Sequence, residues 1–96
     1  MPIQSFADKN TEDFFTTGKL KKKVKWQKIA KVALRKLDML HYANQVEDLK
    51  SPPNNRLEKL KGDLKKYYSI RINDQWRIIF KWSQLGPIEV SIVDYH

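Results

Sequence analysis

The sequence predicts an α+β fold: a mainly antiparallel sheet of four to five strands with two to three helices packed on one face. Three observations predict it. Helical spacing is confined to the first half of the chain, and apolar alternation of period two takes over after the break "SPPNN" at residues 51–55. Short turn signals then separate the alternating runs closely enough for hairpins. Helices first and strands after place the helices together on one side of an antiparallel sheet. Ninety-six residues, 41% hydrophobic and 11% aromatic, suffice for one core, so residues 1–96 are expected to form a single domain.

Taken in order, "PIQSF" reads as a short edge strand, with Pro2 at its start where no ladder donor is needed. "NTEDFFTTG" reads as a short helix with Asn10 or Thr11 as cap, Glu12 and Asp13 in the first turn, and Gly18 closing it. A longer helix is expected over residues 23–42. There Trp26, Ile29, Ala30, Ala33, Leu37 and Leu40 recur at spacings of three and four, and Lys28, Lys31 and Arg35 fall opposite that stripe, in water. Residues 43–49 allow one more helical turn. Beyond the prolines come a short strand around 56–60, a turn at Gly62-Asp63, two longer strands "KYYSIRI" and "WRIIFKW", and a final strand "IEVSIVDY" after Gly86-Pro87.

The stretch "SIRINDQWRII" fixes a register. A three-residue loop, Asn73-Asp74-Gln75, pairs Ile72 with Trp76, Ile70 with Ile78 and Tyr68 with Phe80 on one face. Arg71/Arg77, Ser69/Ile79 and Tyr67/Lys81 then share the other. A two-residue loop would mix apolar and charged partners on both faces, since a slip of one residue inverts every side chain. Two arginines directly opposite one another repel, by up to about 1 kcal/mol, so an anion shared between them is expected. Trp76 and Trp82 lie on the apolar face and are assigned to the core; His41 is assigned a structural role.

The charge narrows the function. Nineteen Lys and Arg against eleven Asp and Glu give a net charge of +8, which attracts polyanions. Nine of the cations lie in residues 19–36, a run with no acid at all. A merely solvated face would mix Glu with Lys, so Lys22, Lys25, Lys28, Lys31 and Arg35 are candidate contacts to nucleic acid, with an acidic protein as the other partner class. The absence of cysteine excludes disulfides and thiolate metal sites, and two histidines make a structural zinc improbable on composition. No metal and no cofactor are expected. There is no apolar run long enough to span a membrane and no signal-peptide pattern in "MPIQSFADKN", so the expected location is the cytoplasm.

The chain closes on Asp94, Tyr95 and His96. If the last strand is interior, all three sit at the rim of a rigid sheet. An imidazole with a pKa near about 6.5 can give or take a proton at neutral pH, a tyrosine hydroxyl can donate to phosphate, and an aspartate can orient its neighbours. Arg71 and Arg77, with Lys61, Lys65 and Lys66 nearby in sequence, supply positive charge. These are the ingredients of phosphodiester cleavage: a base, an acid and cations for charge developing on phosphorus.

"SPPNNRLEKLKGD", then "YYSIRINDQWRIIFKW", then "VDYH" together resemble the HigB branch of the RelE/ParE toxin superfamily, over nearly the whole chain. The resemblance implies a RelE-like fold and a bacterial type II toxin that enters the ribosomal A site and cuts mRNA without a metal, using the RNA 2′-OH as nucleophile. It also implies a helix-turn-helix antitoxin, with operator DNA bound through the toxin–antitoxin complex. Asp94, Tyr95 and His96 match the branch's functional end, and Arg77 matches the arginine after the strand tryptophan. A histidine found in some members before the Leu-Lys-Gly turn is Glu58 or Lys59 here, and an arginine of some relatives falls near Asn73. Either Glu58 replaces that histidine as base or His96 acts with cationic help alone. Two alternatives stand beside the nuclease: a gyrase poison of the ParE arm, and a non-catalytic RNA- or ribosome-binding module. The terminal Asp-Tyr-His and the positive charge favour the nuclease.

Overall fold

A computed structural model describes residues 1–94; Tyr95 and His96 lie outside the described residues. Helix α1 (Lys9–Thr17) and helix α2 (Ala30–Tyr42) pack on one face of a four-stranded antiparallel sheet in the order β1 (Glu58–Lys59), β2 (Tyr68–Arg71), β3 (Trp76–Ser83), β4 (Gly86–Asp94). The expected α+β architecture holds, with several local corrections.

The cap of α1 is Asp8, not Asn10 or Thr11. Its carboxylate accepts from the Thr11 backbone N–H at 2.7 Å and from the Thr11 hydroxyl at 2.9 Å, and Gly18 closes the helix in the left-handed region. The long helix begins seven residues later than the apolar spacing suggested, at Ala30 rather than Lys23. Residues 19–26 are non-helical, and a 3₁₀ turn, Gln27–Ile29, leads into α2. That stretch holds no Ser, Thr, Asp or Asn to cap a helix start, and its lysines would repel one another at helical spacing. Trp26 is nevertheless buried beside Phe14 (ring centroids 5.1 Å apart), so it keeps the stripe's inward side without the helix. A further 3₁₀ turn covers Val46–Lys50. The strand expected over 56–60 shrinks to two residues because Arg56 adopts a left-handed conformation, φ 46.

The β2–β3 register is the one read from the alternation: Tyr68 pairs with Phe80, Ile70 with Ile78 and Arg71 with Arg77. Ile70, Ile78, Phe80, Trp76, Val90 and Ile92 therefore share one face with Phe14, Leu37 and Leu40 in a single core, while Trp82 packs against its margin. "PIQSF" forms one parallel bridge, Phe6 with Val90, rather than a full strand. Its neighbours still shield the outer edge of β4 through Gln4 N–H to Pro87 O, Ala7 N–H to Val90 O and Val90 N–H to Ser5 O. His41 is structural, as expected: its Nδ1 accepts the Ile3 N–H at 3.1 Å and ties that segment to α2. Among the described residues no helix is long and apolar enough to cross a membrane.

Gly86 marks where β4 meets the N-terminal segment. Its φ is +130, and a Cβ there would collide with the Pro2 carbonyl oxygen. Gly62 also has positive φ, +69, but opens on empty space. Gly86→Ala is expected to lower stability by about 2 kcal/mol or more, against about 1 kcal/mol for Gly62→Ala, read from urea midpoints at equal slope. Equal losses would contradict the close approach.

Candidate active site

Among the described residues no α-helix packs on the second face of the sheet, although Ser69, Arg77, Ile79 and Ser91 on it are buried. Across it lie three rows set by the register. Glu58, Ser69, Ile79 and Ser91 form one; Arg71, Arg77 and Val93 form the next. The third joins Tyr67, Lys81 and Glu89 by side-chain contact.

Arg77 is the centre of this face and is only 9% exposed. A buried guanidinium is tolerable only when its N–H groups are paired. Its Nη1 donates to Ser69 Oγ at 2.6 Å and to the Arg56 carbonyl at 3.3 Å, and its Nη2 faces Glu58 Oε1 at 3.4 Å. The left-handed turn at Arg56 is what aims that carbonyl inward. Arg71, directly opposite in register, turns instead to Asp74 of the hairpin loop at 2.6 Å, which holds the Asp74 carboxyl below its ordinary pKa through that hydrogen bond. In the protein alone the two opposed arginines are held by separate partners, Arg71 by Asp74 and Arg77 by Ser69, the Arg56 carbonyl and Glu58.

The loop that presents Arg56 and Glu58 is pinned from behind. Asn55 is fully buried; its amide donates to Leu49 O at 3.2 Å and Ser51 O at 3.3 Å, and its Oδ1 accepts from Lys36 Nζ. Lys36 belongs to the basic run by sequence, yet it is 4% exposed and points away from solvent. Burial lowers its pKa, with Arg35 and Arg71 pushing the same way. Four of the site's structural partners were given no site role by the sequence: Ser69, Asn55, Lys36 and Gln75. A signal existed for Ser69, a small polar residue on the otherwise apolar alternation of β2.

Of the residues singled out from sequence, the fold brings Arg77 and Glu58 together and places Arg71 beside them. It does not bring Asp94 to Arg77. Asp94 pairs with Trp76 in register, and its Oδ2 accepts from Gln75 Nε2 at 3.0 Å, so it braces the hairpin loop. Asn73 does likewise: its Oδ1 accepts the backbone N–H groups of Gln75 and Trp76 at 2.9 and 2.7 Å, an Asx-type turn. Tyr95 and His96 fall outside the described residues. Lys22, Lys25, Lys28, Lys31, Arg35, Lys61, Lys65 and Lys66 are all exposed, and none is ion-paired among the described residues. A cleft of about 420 Å³ lies on the helix side of the sheet, between Asp8, Lys23, Lys25, Trp26, Trp76 and Ile92, and does not include Arg77. Among the described residues no group of His, Asp and Glu has the arrangement of a metal site.

The Lys36–Asn55 pin is testable. Asn55→Ala leaves a buried ammonium without its acceptor and should cost about 2–3 kcal/mol. Because folding lowers the Lys36 pKa, the native state disfavours the charged form. That penalty is full below the folded pKa and fades as pH rises toward the unfolded value of about 10.4. Wild type should therefore gain stability relative to Lys36→Met between neutral pH and about pH 10, as measured by urea unfolding at both ends. A pH-independent difference would show that Lys36 titrates alike in both states.

Comparison with known proteins assigns this architecture. Residues 4–96 match the family model described as RelE-like toxin of type II toxin-antitoxin system HigB. The chain is 42% identical over 77 residues to Toxin HigB-1 of Vibrio cholerae, covering 80% of each protein. It is 39% identical over 79 residues to an uncharacterized protein of Haemophilus influenzae, covering 82% of this chain and 77% of the other. In three dimensions it resembles the YoeB/ParE toxin from Agrobacterium tumefaciens, at TM-score 0.56 and 22% identity over the whole of both chains, a likeness of fold.

Proposed function

From the premise that the chain belongs to the HigB-like family, RelE-superfamily toxins of type II toxin–antitoxin systems with an antitoxin as partner, we propose that it is a single-domain, ribosome-dependent mRNA endonuclease acting in the A site. One observation carries this reading: a buried, hydrogen-bonded Arg77 faces the half-exposed carboxylate of Glu58 on the open face of the sheet. A guanidinium held this firmly is preorganised for a phosphate, and little reorganisation is needed as charge develops.

The reaction uses the substrate's own nucleophile. A base removes the proton of the RNA 2′-OH, the 2′-oxygen attacks phosphorus, and the bond from phosphorus to the 5′-oxygen breaks. The leaving oxygen takes a proton from an acid, giving a 2′,3′-cyclic phosphate and a 5′-hydroxyl end. Arg77 stabilises the charge on the non-bridging oxygens. Its 3.4 Å contact with Glu58 is long for a charge-assisted bond, so a phosphate oxygen is a competitive partner and frees the carboxylate to act as base. His96, on sequence grounds, is the acid; Tyr95 contacts the phosphate or a base. Asp94 acts through Gln75 and the loop, and Arg71 adds positive potential. The exposed Lys22, Lys25, Lys28, Lys31 and Arg35, with Lys61, Lys65 and Lys66, engage ribosomal RNA. The protein works in the cytoplasm; a helix-turn-helix antitoxin silences it and carries the complex to operator DNA.

Purified protein added to programmed ribosomes should cut mRNA at defined codon positions, read by primer extension. Arg77→Lys should slow cutting by about 10²–10³-fold, and Glu58→Gln by about 10²-fold or more, with unfolding midpoints retained. Intact mRNA accompanied by loss of DNA supercoiling would overturn the reading in favour of a gyrase poison.

A further inference from the structure

The third row of the open face is unused by this mechanism. Tyr67 donates its hydroxyl to Glu89 Oε1 at 3.0 Å, Lys81 Nζ reaches Glu89 Oε2 at 3.0 Å, and the same ammonium lies 5.1 Å from the centre of the Tyr67 ring. The bonds fix both carboxylate oxygens, lowering the Glu89 pKa chiefly through Lys81 and then Tyr67. Tyr67 is held protonated by burial and by its bond to Glu89. The cluster is therefore an oriented acceptor at neutral pH, its charge balanced by Lys81.

The backbone at Glu89 has been bent to make it. The β3–β4 pairing shifts by one residue between Ile79 and Lys81, and the extra residue of this bulge is Glu89, at φ 52. Its backbone N–H leaves the ladder and donates to Ser5 Oγ at 2.8 Å. A left-handed bulge position favours glycine. A glutamate there is disfavoured by its backbone, and what it adds over glycine is a carboxylate turned onto the open face. Bulges of this kind re-aim side chains beside active sites.

We propose that Tyr67, Lys81 and Glu89 form a base-reading subsite for the mRNA strand, in which the Glu89 carboxylate accepts the adjacent N1–H and N2–H donors of an unpaired guanine. The proposal rests on the endonuclease reading for its substrate and adds to it a specificity determinant. The chemistry selects the ligand in two steps. Lys81 is spent on the Glu89 carboxylate, so the subsite offers a phosphate no unpaired cation and takes the base and not the backbone. Being acceptor-only, it is matched by a donor edge, and guanine alone among the four bases offers two neighbouring donors on its Watson–Crick edge. Lys81 lies four residues along β3 from Arg77, about 13 Å at strand spacing. That spans about four nucleotide steps of about 3.4 Å each in a stacked strand, so the base read lies a few nucleotides from the cleaved position.

The test is cleavage of a ribosome-bound mRNA library in which each nucleotide around the cut is varied singly. Wild type should favour guanine at one flanking position by about 10-fold or more. Glu89→Gln, which keeps the shape and replaces one acceptor by a donor, should erase that preference while total cutting stays within about 3-fold. Glu89→Gly, which suits the left-handed backbone, should keep the fold and also lose the preference. An unchanged preference in both variants, or no guanine preference in wild type, overturns the subsite while leaving the nuclease intact. If no mRNA is cut, NMR titration of the same protein with trinucleotides decides the matter separately. Shifts of the Glu89 and Lys81 amides with a guanine-containing oligomer and not with its uracil counterpart support the subsite. Their absence removes it.

Discussion

A guanidinium held at 9% exposure within a β-sheet is the constraint around which the rest of this molecule is arranged. Such a group is destabilising unless its N–H groups meet acceptors, and among the described residues Arg77 meets them from at least three directions. Ser69 comes from the neighbouring strand, the Arg56 carbonyl from a left-handed turn, and Glu58 from the short outer strand. Each of these has its own support. The turn at Arg56 follows Asn55, whose amide is saturated by Leu49, Ser51 and Lys36. The chain of contacts therefore runs from the middle of α2, through the proline-rich loop, to the open face of the sheet.

The sheet divides its labour by face. On one side, Ile70, Ile78, Phe80, Val90 and Ile92 close over Leu37 and Leu40, and this core keeps the strands rigid. On the other, the same strands present polar groups whose spacing the ladder sets. A site on strands is held more firmly than one on loops. The cationic surface is separate again. It lies on residues 19–35, half of them outside regular helix, where lysines reach solvent free of carboxylate partners among the described residues. The cationic surface and the Arg77–Glu58 pair thus reside on different parts of the molecule and can be altered independently.

Much of this was legible in the residues, for a physical reason that differs from element to element. The β2–β3 register could be read because only one alignment keeps Ile70, Ile72, Trp76 and Ile78 on a common face, and any slip is penalised along its whole length. The helix start was misread because Trp26 packs where the next turn of α2 would have put it, so the apolar stripe runs past the helix. The cap was misplaced because Asp8, Asn10 and Thr11 are all capping residue types, and only geometry selects among them. Lys36 was counted only as one of the nine cations of residues 19–36, since its acceptor, Asn55, stands nineteen residues away and no periodicity links them. The bulge at Glu89 left no trace, because the residue that would announce a left-handed position is glycine. Arg77 was reached through the hairpin register as well as a family resemblance, and Glu58 through the resemblance alone; the Arg56 carbonyl and the Ser69 hydroxyl that hold Arg77 beside Glu58 were visible only in the fold.

The central claim is that Arg77 is seated to receive the phosphate that is cut. Its most direct test is a structure of the toxin on a ribosome whose mRNA carries a 2′-deoxy nucleotide at the cleavage position, which blocks the attack but preserves the strand. The account predicts a non-bridging oxygen of that phosphate within about 3 Å of the Arg77 guanidinium, on the open face of the sheet beside Glu58. A phosphate lodged instead along the lysines of residues 19–35 or in the helix-side cleft, with Arg77 still bonded to Ser69, Arg56 and Glu58 and not to the phosphate, would contradict it.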